Sequence, residues 1–241
     1  YYSGRKRKIS SARQETSKAC TSEWVRSGSR QQDWILLHSC RGILLGWLTM
    51  SGRDAVLVLG ATGATGRLVV EQLLSRGVPV KAFVRKESVT PLPGEVLENP
   101  KLSVIEGTAL GVKKEVLETT LRDCAAVVSC LGHRGVRLGS QMIVRDSCQR
   151  VCNVIPQDGK APTKFILMNT CLVDHPDGSD SEIRSFAQRF CLAAMRKLLP
   201  PHKDNELAAK YLFESSRSDL EWCVVRPGLL ENSPDVTPYK T

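Results

Sequence analysis

Three absences narrow what this chain is. None of its nine cysteines forms a C-x-x-C pair, which removes the common zinc and dithiol frameworks. The closest pair, Cys148 and Cys152, is one turn apart on a helix face. An odd number of thiols lying in apolar stretches reads as reduced core filler of a reducing compartment, and no metal site is expected. A membrane span is also missing. The segment from Trp34 to Leu48 is apolar but carries His38 and Arg41, and it falls short of the ~20 residues that cross a bilayer. The third absence is a basic face on the body of the chain. The formal net charge is +9, yet residues 1–49 hold nine Lys/Arg against three Asp/Glu, and the remainder holds 25 against 22. A nearly neutral body does not indicate a nucleic-acid partner.

The first 49 residues differ from the rest. They start Tyr1-Tyr2 in place of methionine, continue with Arg5-Lys6-Arg7-Lys8, and run into a Ser/Arg/Gln-rich tract whose composition cannot bury a core. Residues 1–49 therefore read as a disordered leader or as upstream, non-native sequence. An Arg- and Ser-rich, acid-poor leader also fits an organellar transit peptide, which leaves two locations open: cytoplasmic if Met50 is the true start, plastid or mitochondrion if the leader is genuine. Residues 50–241 have no internal repeat and no linker, and they are expected to form a single domain.

From Asp54 onward strands alternate with helices. Strands are predicted at 55–59, 80–84, 102–106, 125–131, 164–168 and 220–225. Helices are predicted near 66–76, 113–122, 140–155, 181–199 and 204–215, with Gly77 ending the first and Pro200-Pro201 breaking the chain before the last. The apolar run Ala125–Leu131 suits a parallel strand covered on both faces. This order predicts an α/β chain of Rossmann type: a doubly wound parallel sheet in a three-layer α/β/α arrangement.

One stretch carries chemistry. Val56–Leu59 leads into Gly60-Ala61-Thr62-Gly63-Ala64-Thr65-Gly66, a G-x-x-G-x-x-G variant of the dinucleotide turn between a strand and a helix. Backbone N–H groups and the positive helix end there suit a pyrophosphate. At the end of the second strand an NAD site wants a carboxylate for the ribose 2′-hydroxyl. This chain has Val84-Arg85-Lys86 instead, and a guanidinium grips a 2′-phosphate through paired hydrogen bonds. NADP(H) is expected in preference to NAD(H). Arg67, after the third glycine, is a further candidate for the same anion site.

These residues resemble the atypical short-chain dehydrogenase/reductases, the NmrA-like and biliverdin-IXβ/flavin reductase-like NAD(P)-binding proteins. The likeness continues through Glu106-Gly107-Thr108, Val128-Ser129-Cys130-Leu131-Gly132, Phe165-Ile166-Leu167-Met168-Asn169-Thr170 and Val224-Val225-Arg226-Pro227-Gly228. It implies that Gly60–Gly66 holds the pyrophosphate and Arg85 the 2′-phosphate. Thr108 and Ala109 would lie near the adenine, where relatives usually have Gly-Asp. Leu131 and Gly132 would flank the nicotinamide-side ribose, Asn169 and Thr170 would sit near the nicotinamide, and Pro227 and Gly228 would cover its carboxamide. Relatives continue past the equivalent of Gly228 with a further helix, so part of the C-terminal region is expected to be missing.

The same stretch departs from many short-chain dehydrogenases in having no Tyr-x-x-x-Lys pair. Tyr211 is followed four residues later by Ser215, and Leu199 and Glu206 precede Lys203 and Lys210. Hydride transfer from NADPH would then suit a conjugated small-molecule acceptor of flavin, quinone or tetrapyrrole type, with Thr170, a water or solvent supplying the proton and Lys203 orienting substrate. Asp204 reads as an N-terminal helix cap. His133 follows Gly132 at the nicotinamide side and could contact the ligand; the blander reading of it, shared with His175 and His202, is a solvated histidine without an acid partner evident in the sequence. The alternative is a non-catalytic NADP(H)-binding sensor or assembly subunit that keeps the fold.

Overall fold

The computed structural model describes residues 53–86, 92–133, 142–158, 161–180 and 184–228. Five consecutive apolar residues form β1 (Ala55–Leu59), buried throughout, since such a run is satisfied only where both faces of a sheet are covered. There follow α1 (Ala64–Ser75), β2 (Val80–Val84), the short α2 (Gly94–Leu97), β3 (Leu102–Glu106), α3 (Lys114–Leu121), β4 (Cys124–Ser129) and α4 (Ile143–Val154). The described chain then continues through β5 (Thr163–Met168), α5 (Phe186–Leu198), α6 (Pro200–Glu214) and β6 (Leu220–Val225).

The strands lie in the order β3-β2-β1-β4-β5-β6, and every pair is parallel, with Val56 opposite Val80, Val58 opposite Val128 and Phe165 opposite Trp222. Alternate strand residues feed two cores. Leu57, Leu59, Val127, Phe165 and Leu167 pack with α3, α4 and α6. Val56, Val58, Ala82, Val128 and Ile166 pack against Val69, Val70, Leu73 and Leu74 of α1. This is the expected Rossmann-like parallel sheet. Strand order reverses between β1 and β4, which opens the crevice where ligands bind in open α/β sheets.

Local chemistry explains where elements stop. Gly77, at φ +74°, closes α1: its N–H donates to Leu74 O (2.8 Å) and that of Val78 to Leu73 O (3.0 Å), the left-handed ending that favours glycine. Pro200-Pro201, expected to break the chain, instead opens α6 at its first two positions, where a missing N–H costs nothing because no intrahelical acceptor is within reach. The helix predicted from 181 starts at Phe186, behind a reciprocal cap between Ser185 and Gln188.

The cysteines divide. Cys124, Cys148, Cys152 and Cys223 are buried, and burial pushes the Cys124 and Cys130 thiols up to about 12, so they remain protonated core atoms. Cys171, in the loop after β5, and Cys191, on the outward face of α5, are exposed, contrary to the reading of all nine as filler. Among the described residues no helix is long and apolar enough to cross a membrane.

Candidate functional site

The glycine turn packs too closely for side chains. A Cβ on Gly60, which has φ +75°, would lie 2.7 Å from the Cys130 carbonyl oxygen; one on Gly66 would lie 2.1 Å from that of Gly60. The start of α1 is thereby pressed against the ends of β1 and β4, at the reversal point of the sheet. The Gly63 N–H donates to Gly60 O and the Arg67 N–H to Gly63 O, both at 2.9 Å. Among the described residues no side chain caps α1, and its first turn holds no acid. Among those residues the amides of Ala64, Thr65 and Gly66 are left as the unpaired donors of that end, which fits a dinucleotide pyrophosphate. Ala61 is buried in the core, whereas Thr62 and Thr65 are half-buried. Arg67 lies 3.9 Å from Glu71 along the helix.

Beyond the ends of β2 and β3 is a cleft of about 680 Å³ lined by Arg85, Lys86, Glu106, Thr108 and Lys113, among others. Arg85 and Lys86 are exposed, and neither has an ion-pair partner among the described residues. Lys113, at the N-terminal end of α3, was not singled out from the sequence; only the fold brings it across from Arg85. Thr108 lines the cleft, and its hydroxyl accepts from the Gly111 N–H (2.9 Å). Ala109 is turned into the core and does not line the cleft.

The other candidates gather at the neighbouring strand ends. After β4, Leu131 packs on the core and Gly132 is exposed. After β5, the Asn169 side chain donates to Asn205 O (3.0 Å) and accepts from the Thr170 N–H (2.9 Å). Thr170 is half-buried. After β6, Pro227 is buried and its carbonyl accepts from the Cys171 N–H (2.9 Å), tying the β5 and β6 ends together; Gly228 is exposed. Lys203 is exposed on α6 and has no ion pair among the described residues.

Asp204 is not the cap of its own helix. It is fully buried in the second turn of α6, where its carboxylate accepts from the Val144 N–H (2.9 Å) and the Arg145 N–H (2.8 Å), capping α4 from outside. The same carboxylate lies 2.7 Å from His133 Nε2. His133, expected to be solvated, therefore has an acid partner, and its side chain is only 6% exposed. No spacing rule exposes this pair, because its members stand 71 residues apart. His175 and His202 are also buried, the former edge-on to Phe213 with ring centroids 5.4 Å apart.

A charged network closes the far side. Asp174 pairs with Arg184 (2.5 Å) and Arg196 (2.8 Å), and Arg196 also reaches Glu206 (2.6 Å). Asp180 pairs with Arg226 and accepts from the His175 N–H (2.6 Å). Burial opposes ionisation of Asp180, but those hydrogen bonds and the Arg226 and Arg184 charges hold its carboxyl below the ordinary carboxylate range. A depressed folded-state value means a contribution to stability that is present above the unfolded carboxylate range and lost as pH falls through the folded value. Urea midpoints taken between neutral and strongly acid pH are expected to fall less steeply for Asp180→Asn than for the wild type; parallel curves would refute this.

Comparison with known proteins agrees with this geometry. Residues 60–241 match the NAD(P)H-binding family. An uncharacterized chloroplastic protein of Arabidopsis thaliana is 31% identical over 184 residues, covering 74% of this chain and 60% of the relative. Averufin oxidase A of Aspergillus flavus is 23% identical over 197 residues, covering 75% and 66%. The chain thus spans about 60–66% of the length of these curated relatives. Two solved structures share the fold. A short-chain dehydrogenase/reductase of Veillonella parvula in complex with NADP has a TM-score of 0.54 at 18% identity, over 76% of this chain and 73% of that one. Gre2 of Candida albicans in complex with NADPH has a TM-score of 0.51 at 18% identity, over 73% and 57%. The chain belongs to the NAD(P)H-binding family.

Proposed function

We propose that residues 50–241 form an NADPH-dependent reductase that passes hydride to a conjugated small-molecule acceptor of flavin, quinone or tetrapyrrole type. The observation that carries this reading is the cleft at the β2 and β3 ends, where Arg85, Lys86 and Lys113 outnumber the single carboxylate of Glu106. A ribose 2′-phosphate answers that excess of positive charge, and a bare 2′-hydroxyl does not. Glycine-turn amides would hold the pyrophosphate. Leu131, Gly132, Asn169, Thr170, Pro227 and Gly228 would surround the nicotinamide half. Bound NADPH supplies the hydride. Tyr211, whose hydroxyl lies 3.3 Å from Asn153 Oδ1 on α4, has Ser215 and not a lysine four residues on, which supports a conjugated acceptor.

Intrinsic fluorescence titration tests the cofactor assignment. NADPH is expected to bind more tightly than NADH. Arg85→Ala should weaken NADPH by on the order of 10- to 100-fold, the worth of a charge-assisted hydrogen bond, and leave NADH unchanged. Equal affinities in the wild type would overturn the role of Arg85. NADPH oxidation with a panel of flavins, quinones and tetrapyrroles tests the reaction; binding without turnover on any of them would favour the non-catalytic sensor. The chloroplastic name of the Arabidopsis relative supports reading residues 1–49 as an organellar leader.

A further inference from the structure

Within the reductase reading just proposed, we infer that His133, oriented by Asp204, is the acid that protonates the acceptor as hydride arrives. Two sets of contacts lead there. His133 stands three residues past Cys130, whose carbonyl packs on Gly60 of the glycine turn, so it lies at the strand end bordering the cofactor crevice. The second turn of α6 then joins this strand end to the next one. Asp204 holds His133 and the start of α4, while the adjacent Asn205 carbonyl holds the Asn169 side chain beside Thr170. The β4 and β5 ends, which would flank the nicotinamide, are thus fastened to one rigid turn of helix.

The chemistry of the pair fits an acid. A side chain this enclosed, against a carboxylate with no solvent exposure, has its ring orientation set by that partner. In this role the ring donates Nε2–H to Asp204 and gives up a proton from Nδ1. The balance is simple. Hydride forms a new bond on the acceptor and breaks a π bond there, and the electron pair released onto the acceptor heteroatom takes the Nδ1 proton. NADPH is oxidised to NADP⁺, the acceptor is reduced by two electrons, and neutral imidazole regains its proton from solvent. Asp204 acts through His133 and is a positioning residue. Thr170, whose hydroxyl is 3.4 Å from the Leu172 N–H, is then not needed as the donor.

The test uses the full chain with labelled histidine, followed by NMR and by turnover. His133→Gln assigns the ring signals. Adding NADP⁺ is expected to shift the His133 signals of the wild type. With a naphthoquinone acceptor, His133→Gln should lower kcat by on the order of 10²-fold, the usual worth of a positioned acid. It should leave the Kd for NADPH unchanged. Asp204→Asn should move the His133 ring signals and lower kcat at an unchanged Kd for NADPH while His133 remains. NADP⁺ binding that leaves the His133 signals in place would overturn the assignment, as would a His133→Gln variant with the wild-type kcat. Failure of NADP⁺ to bind at all, visible in the same titration, would overturn the cofactor reading and this inference with it.

Discussion

Gly66→Ala is expected to abolish measurable NADP(H) binding and to lower stability by about 2–3 kcal/mol, the upper range for a side chain forced into a filled space. The added methyl would lie 2.1 Å from the Gly60 oxygen and 2.8 Å from the Gly60 carbon. Both obstacles are backbone, so no rotamer change relieves them, and the first turn of α1 must move away from β1. That shift moves the amides of Ala64, Thr65 and Gly66 off the pyrophosphate, and misplacement of about 1 Å at such a site costs on the order of 10²-fold. Two other glycines serve as controls. Gly63→Ala meets the Gly60 oxygen only at 3.2 Å, and a Cβ on Gly132 meets nothing within 4 Å. Urea unfolding and NADPH titration of the three variants should rank them Gly66, Gly63, Gly132 in severity. A Gly66→Ala protein that binds NADPH normally would show that the amides are not the anion site.

Asp204→Ala carries the second large effect, a loss of about 3–5 kcal/mol, since each buried donor left without an acceptor costs about 1–3 kcal/mol. Three donors lose their acceptor together: the amides of Val144 and Arg145 and the ring of His133. Among the described residues no other side chain caps α4, and Asp204 is fully buried, so water does not replace the carboxylate without opening the packing between α4 and α6. Asp204→Asn keeps one acceptor oxygen and should lose less. Hydrogen exchange gives the sharper view: the Val144 and Arg145 amides should be protected in the wild type and exchange far faster in Asp204→Ala. Unchanged protection would mean that α4 is capped by something else.

The fold was legible because its signals are local. A continuous apolar strand, a glycine turn and an amphipathic helix need only their own neighbourhood, and all six strands lie within two residues of where the sequence pattern puts them. Gly77 ended α1 by a backbone conformation that glycine favours. The failures were of two kinds. Pro200-Pro201 reads as a break in the sequence because proline is excluded from helix interiors, though it fits the first turn equally well. Asp204 reads in the sequence as a cap of its nearest helix, because only tertiary structure shows that it caps another one. The candidate site divides in the same way. Its phosphate-binding half rests on contiguous residues, whereas Lys113 opposite Arg85 and Asp204 beneath His133 are brought together by sheet order and helix packing.

NADP(H) is expected to lie across the β1–β4 crevice, with its pyrophosphate on the glycine turn and its 2′-phosphate on the β2 end. A crystal structure of the chain grown with NADP⁺ tests this most directly. The pyrophosphate oxygens should accept from the amides around Ala64–Gly66, and the 2′-phosphate should contact Arg85. A cofactor bound elsewhere, or one whose 2′-phosphate points to solvent away from Arg85, would contradict the account.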